Sequence, residues 1–243
     1  GLEVAASRNL ILDVVGFKYL TWGNSITEFI NAFLSTAGPL VIAIFFTSIS
    51  NTIIFFSMPA VHIISVAAAF MLFIYLKEPK NDSDNNSEKQ VDKSIKEGFV
   101  YSYKSVNIRI LMILSFTVLF WGASQPLIPK IARDTLGSGA SGYAILLSSE
   151  AFGAMIGSIA LPLFPQIFRN SKSIVACIII YSIVLFFFSL STSIYLSMLL
   201  LVIGGLFHII RFTVVLILLQ TIPDDDHKGR VVGLFFMVIQ VYG

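Results

Sequence analysis

Apolar residues in this chain fall into long, nearly unbroken blocks separated by short polar breaks. Six blocks are of bilayer-crossing length or close to it: Ile26 to Thr47, Thr52 to Leu76, Ile108 to Pro129, Gly142 to Phe164, Ile174 to Leu190 and Tyr195 to Thr221. A seventh begins near Val231 and reaches the last residue, Gly243. A spanning helix needs about 20 predominantly apolar residues, and soluble core helices are rarely so uniformly apolar. The pattern predicts an all-α membrane protein, a polytopic helical bundle. Short connections carry turn or polar residues: Ser48 to Asn51, Arg169 to Lys172, Ser191 to Ser193, and Pro223 to Gly229. The last block is shorter than a span and the first residue is not Met, so the chain reads as a piece cut at both ends. Gly1 to Arg8 contain no apolar core of a signal peptide.

One long polar segment divides the series. Residues 77–107 predict a loop whose first part, Lys80 to Glu88, has the composition of a disordered linker. Its second part places Val91, Ile95, Phe99 and Tyr103 at four-residue intervals with Lys93, Lys96 and Lys104 elsewhere. That spacing predicts a short amphipathic helix, lying either at the membrane interface or against the protein. The organisation expected is two helices in 1–76, the loop in 77–107, and four full helices and one partial helix in 108–243.

Composition sharpens this picture. The 243 residues are 56% hydrophobic and 12% charged, with 22 Phe and a mean hydropathy of +0.86. A soluble domain is roughly a quarter charged, so this chain lacks the polar surface to face water all round. The net charge of +2 implies no nucleic-acid partner, because no basic, aromatic-studded face is present. A lone Cys177 inside an apolar run excludes disulfide and cysteine-based metal frameworks, and no cofactor is implied.

The basic residues set an orientation. Arg8, Lys18, Lys77, Lys80, Lys89, Lys93, Lys96, Lys104, Arg109, Arg169, Lys172, Lys228 and Arg230 fall in one alternate set of loops. The other set holds Lys130 and Arg133. By the positive-inside rule the first set, including loop 77–107, faces the cytoplasm.

Several short motifs then line up in order. Glu97-Gly98-Phe99 with Asn107-Ile108-Arg109-Ile110-Leu111 resembles the start of the seventh helix in the macrolide-efflux and enterobactin-exporter branch of the major facilitator superfamily. Pro126-Leu127-Ile128-Pro129 with Leu136-Gly137-Ser138-Gly139-Ala140-Ser141-Gly142-Tyr143 resembles that branch's connection from helix seven to eight. Gly153-Ala154-Met155-Ile156-Gly157 resembles its glycine-rich eighth helix. Gln220-Thr221-Ile222-Pro223-Asp224 and Gly229-Arg230-Val231 are similar to its tenth-to-eleventh loop, and Ser7-Arg8-Asn9-Leu10, Asp13 and Gly38-Pro39 to the approach to helix five and its Gly-Pro motif. Val41 and Ile42 depart from the glycines that usually follow that motif. The resemblance implies helices five to eleven of a twelve-helix fold with two pseudo-symmetric halves. It also implies a bacterial plasma-membrane protein, monomeric when full length, that exports amphipathic small molecules in exchange for protons.

Charged residues at membrane depth are costly and tend to mark function. Glu150 lies eight residues into its block, roughly 12 Å deep at 1.5 Å per residue. It reads as a proton-coupling or substrate-cation carboxylate, or as an acid satisfied at a helix contact. Arg211 shares a helix face with His208 and Gly204, either binding an anionic group or reaching out toward the cytoplasmic interface. Glu28 sits in a small and polar stripe with Ser25, Asn31, Ser35 and Gly38. Its shallow position near the block's start predicts a gating or structural ion pair, and Pro39 predicts a bend. Gln125 offers a substrate hydrogen bond. Ser149, Gly153 and Gly157, four residues apart, predict close helix packing, and the resemblance adds a sliding contact with helix five. Asp224 and Arg230 flank a charged loop that is either solvated or a latch.

Other classes read less well. An embedded enzyme needs a clustered acid–base set, but His62, His208 and His227 lie on different elements. A selective channel needs a filter loop or charge ring, and neither is visible in the sequence. A non-transporting sensor or scaffold remains a further alternative.

Overall fold

The computed structural model describes residues 2–45, 97–115, 125–168 and 171–240. The expected span Thr52 to Leu76, His62 and the linker part of loop 77–107 lie outside these residues. Among them the chain is helical throughout, without strands. Helix α1 covers Leu2–Phe45, α2 covers 97–104, α3 Val106–Ser115 and α4 Leu127–Lys130. A π-helical turn, Ile131–Thr135, leads to α5 at Gly139–Leu163 and α6 at Pro165–Phe168. Then come α7 at Ser171–Leu190, α8 at Ile194–Thr221 and α9 at Asp225–Gln240.

Among the described residues, three helices are long and apolar enough to cross a membrane: Gly139–Leu163, Lys172–Leu190 and Ile194–Thr221. They lie over the fourth, fifth and sixth expected blocks. On α7 the residues Ile174, Cys177, Tyr181, Val184 and Phe188 are buried at intervals of three and four. Val175, Ile179, Ile183, Phe186 and Phe187 between them are exposed and apolar. One face therefore packs on α8 and the other is suited to hydrocarbon. Serines inside these helices return their hydroxyls to the backbone four residues earlier: Ser149 to Ile145 O at 2.8 Å, Ser158 to Ala154 O at 2.8 Å and Ser182 to Ile178 O at 2.9 Å. That arrangement satisfies a hydroxyl without water.

Helix α8 forms the axis, packing against α1, α3, α5, α7 and α9. Its crossing with α5 is made by glycines. A Cβ on Gly153 would sit 1.9 Å from the carbonyl oxygen of Val202, and one on Gly205 would sit 1.9 Å from that of Glu150. On Gly157 it would meet Leu206 O at 2.6 Å. Only hydrogen fits there, so the two backbones touch. This corrects the expected partner of the Gly153 and Gly157 face, which is α8 and not α1. α1 also packs on α5, by another face, where Ser148 Oγ donates to Thr36 O at 3.1 Å.

α1 differs from its expectation at the N-terminal end. Helix begins at Leu2, well before Ile26, and the chain breaks at Gly16, whose φ of 68° and ψ of 173° suit glycine alone. After the break it folds back on itself. Ile11 Cγ2 lies 2.8 Å from where a Cβ on Gly23 would be, whereas 12 residues of straight helix would separate them by about 18 Å. The described break in α1 is thus at Gly16. Gly38 is open, with nothing within 4 Å of an added Cβ.

Candidate functional site: a polar cavity between α1, α5 and α8

The helical periods of α1, α5 and α8 turn polar residues toward a shared space about midway along the bundle. Its volume is about 490 Å³, walled by Glu28, Asn31, Ala32 and Ser35 from α1 and by Leu147, Glu150, Ala151 and Ala154 from α5. Gln125, just before α4, and Gly205, His208 and Ile209 of α8 close it. That volume lies within the range of small-molecule sites, which combine apolar walls with a few polar groups.

The polar groups are organised by direct bonds. Gln125 Nε2 donates to Glu150 Oε2 at 3.3 Å, fixing one oxygen of the carboxylate. Arg211 Nη2 lies 3.4 Å from His208 Nδ1. A guanidinium carries donors only, so Nδ1 accepts and the ring proton sits on Nε2. The Tyr181 ring lies against His208, centroids 5.5 Å apart, and against Gly204, whose absent side chain leaves the room. Asn31 and Ser35 are exposed, so the cavity opens along that side of α1.

Glu28 is 6% exposed and stands in the cavity wall, on the part of α1 that follows the break at Gly16. One of the two readings of Arg211 is corrected here. Arg211 does not reach out to the interface; it is 3% exposed and stands behind His208. Gln125 sits in a turn. Gly38 belongs to α1 and does not line the cavity, and the side chain of Pro39 lies outside the described residues.

Asp224 and Arg230 lie apart from the cavity, at the α8–α9 junction. The Tyr101 hydroxyl donates to Asp224 Oδ2 at 3.1 Å and accepts from Asp224 N at 3.2 Å. The same ring stacks on His227, centroids 4.1 Å apart and 10° from parallel. Arg230 pairs with Glu97 at 2.9 Å, and Arg230 Cβ lies 2.9 Å from where a Cβ on Gly98 would be. Lys228 Nζ rests 4.4 Å from the Phe17 ring centroid. Tyr101 and its role are not visible in the sequence. The buried Asn24–Gln220 bond between α1 and α8, 2.8 Å long, was also missed. Its one signal is a pair of amides at the ends of apolar runs.

Helices of membrane-crossing length around a ligand-sized polar cavity define a polytopic membrane transport protein. A family profile described as transmembrane secretion effector matches residues 27–242. The chain belongs to that family, and with it to the major facilitator superfamily. Comparison with curated proteins and with solved structures gave no match.

Proposed function

We propose that this protein is a secondary active exporter of amphipathic small molecules, coupled to protons and working by alternating access around the α1–α5–α8 cavity. The observation that carries the reading is the convergence of two carboxylates, Glu28 and Glu150, on one cavity that also takes in His208 and Gln125. An acid beside an apolar wall is able to hold a proton or a cationic substrate group, and exchange between the two couples their movements. Glu150 is the coupling carboxylate, with Gln125 orienting it. Glu28 and His208 line the path, and Arg211 supports His208. The order of motifs supports the macrolide-efflux and enterobactin-exporter branch, and the charge asymmetry supports a plasma-membrane protein whose α8–α9 loop faces the cytoplasm.

The test uses everted vesicles containing the natural full-length protein, with ethidium and erythromycin as probes. The expected result is accumulation that a protonophore abolishes and that Glu150→Gln removes while counterflow exchange persists. Accumulation indifferent to the protonophore contradicts proton coupling. Probe flux without counterflow identifies a channel.

A further inference from the structure

α2 and α3 carry two opposite stripes. Gly98, Ser102, Ile108, Leu111 and Ser115 are buried, with Gly98 set against Arg230. Phe99, Tyr103, Val106, Ile110 and Ile113 are large and exposed, the first two at 65% each. Their alternating steps of four and three residues mark one face of a helix. The break between α2 and α3 is the single residue Ser105. Bonds of helical spacing bracket it, from Ser105 N to Tyr101 O at 3.0 Å and from Arg109 N to Ser105 O at 2.9 Å. The exposed stripe therefore runs through the junction.

What covers this stripe follows from where it leads. Ile110 and Ile113 stand at the start of the apolar block Ile108 to Pro129, and the outward apolar face of a spanning segment meets hydrocarbon. One and two turns back the same face becomes aromatic, with Tyr103 and then Phe99, as side chains do where hydrocarbon gives way to headgroups. Two cations stand at that level. The Arg109 guanidinium carbon lies 5.6 Å from the Tyr103 ring centroid, and Arg109 Nη1 donates to Tyr103 O at 3.4 Å. That bond uses one of five guanidinium donors. Lys104, next to the same tyrosine, is exposed. Neither cation pairs with an acid among the described residues, and Glu97, the acid of this segment, is taken by Arg230 at 2.9 Å.

We propose that Lys104 and Arg109 hold the headgroup of an anionic phospholipid, with Phe99 and Tyr103 set at the boundary beside its acyl chains. The lipid phosphate accepts from the Arg109 fork and from Lys104 Nζ, both charge-assisted bonds. A headgroup of net negative charge is preferred to phosphatidylcholine, whose own cation the two side chains repel. Tyr101, on the packed side of α2, clasps Asp224. Lipid and the α8–α9 junction thus hold α2 from opposite sides. The site depends neither on proton coupling nor on the direction of transport.

The test compares phosphatidylglycerol with phosphatidylcholine, each carrying the same brominated acyl chains, which quench a nearby fluorophore. A bimane label is placed at Val106→Cys, on the stripe, in the natural full-length protein carrying no other cysteine, in vesicles that mix the two lipids. Both lipids are expected to quench, with phosphatidylglycerol preferred. Lys104→Gln and Arg109→Gln should each lower that preference about fivefold, whereas Lys130→Gln, at the end of α4, should leave it unchanged. Unaltered quenching by phosphatidylcholine in each variant shows that the face stays in place. Quenching by neither lipid places protein on the stripe and overturns the site. Equal quenching by both, or a preference that survives both substitutions, leaves an apolar face without headgroup selection and overturns it too.

Discussion

The centre of the bundle and the α2–α9 end are held together by opposite means. At the centre, α5 and α8 touch backbone to backbone through Gly153, Gly157 and Gly205, and the polar side chains around the crossing face a cavity. At the other end, half-exposed side chains carry the contact, with Tyr101 bonded twice to Asp224 and stacked on His227. Glu97–Arg230 closes the same junction with side chains 49% and 34% exposed. Apolar surroundings give helices little reason to prefer each other over lipid, so close packing has to come from shape. Near water, directional bonds between ordinary side chains suffice, each contributing little. The difference teaches where rigidity and adaptability sit in this protein. The crossing is fixed, and the junction is made of contacts weak enough to break and re-form.

The strongest way to break this contrast is at the crossing. Gly205→Ala puts a methyl 1.9 Å from Glu150 O, and overpacking against backbone is expected to cost at least about 3 kcal/mol. Thermal unfolding should drop by roughly 6–12 °C. Gly233→Ala, with open space around an added Cβ, should leave it unchanged or slightly higher. Equal effects at the two glycines would remove the distinction between a packed centre and an adaptable end.

Next in size is Tyr101→Phe, which keeps the stack on His227 but deletes both bonds to Asp224. Together they are expected to be worth about 1–2 kcal/mol, read as a fall of roughly 2–6 °C. Glu97→Gln should cost less, at most about 1 kcal/mol, and that cost should disappear in high salt. A loss as large as that at Gly205 would make the junction a second rigid core.

The smallest effect lies at the π-turn. Arg133 hydrogen-bonds Asp134 at 2.8 Å and holds its carboxyl below the usual carboxylate range. A lowered folded-state value contributes stability at neutral pH that is lost as pH falls through that lowered range. Both side chains are exposed, 75% and 44%. Asp134→Asn should therefore move the unfolding temperature less than Glu97→Gln does, and only above the acid range.

The sequence made some of this architecture legible and hid the rest for physical reasons. The helices at 139–163, 171–190 and 194–221 follow from apolar runs whose length matches a bilayer. The first half of α1 did not read as helix, because Arg8, Asp13, Lys18 and Asn24 interrupt its apolar pattern. Gln125, Glu150 and His208 stood out as polar residues within spans and Glu28 as one near its block's start, yet their convergence depends on contacts between residues up to 180 positions apart. Asn24 and Gln220 are 196 residues apart, and nothing local marks them as partners. Likewise, nothing local marks Tyr101, because the Asp224 it clasps comes 123 positions later.

The shared polar cavity is tested most directly by cysteine accessibility in the natural full-length protein with Cys177 replaced. The account predicts that Asn31→Cys and Ala151→Cys, in the cavity wall, react with a charged, water-soluble thiol reagent. Phe152→Cys and Ile179→Cys, on the outward apolar faces, should stay unlabelled. Rapid labelling at 152 and 179 with protection at 31 and 151 would place water on the opposite faces of these helices and contradict it.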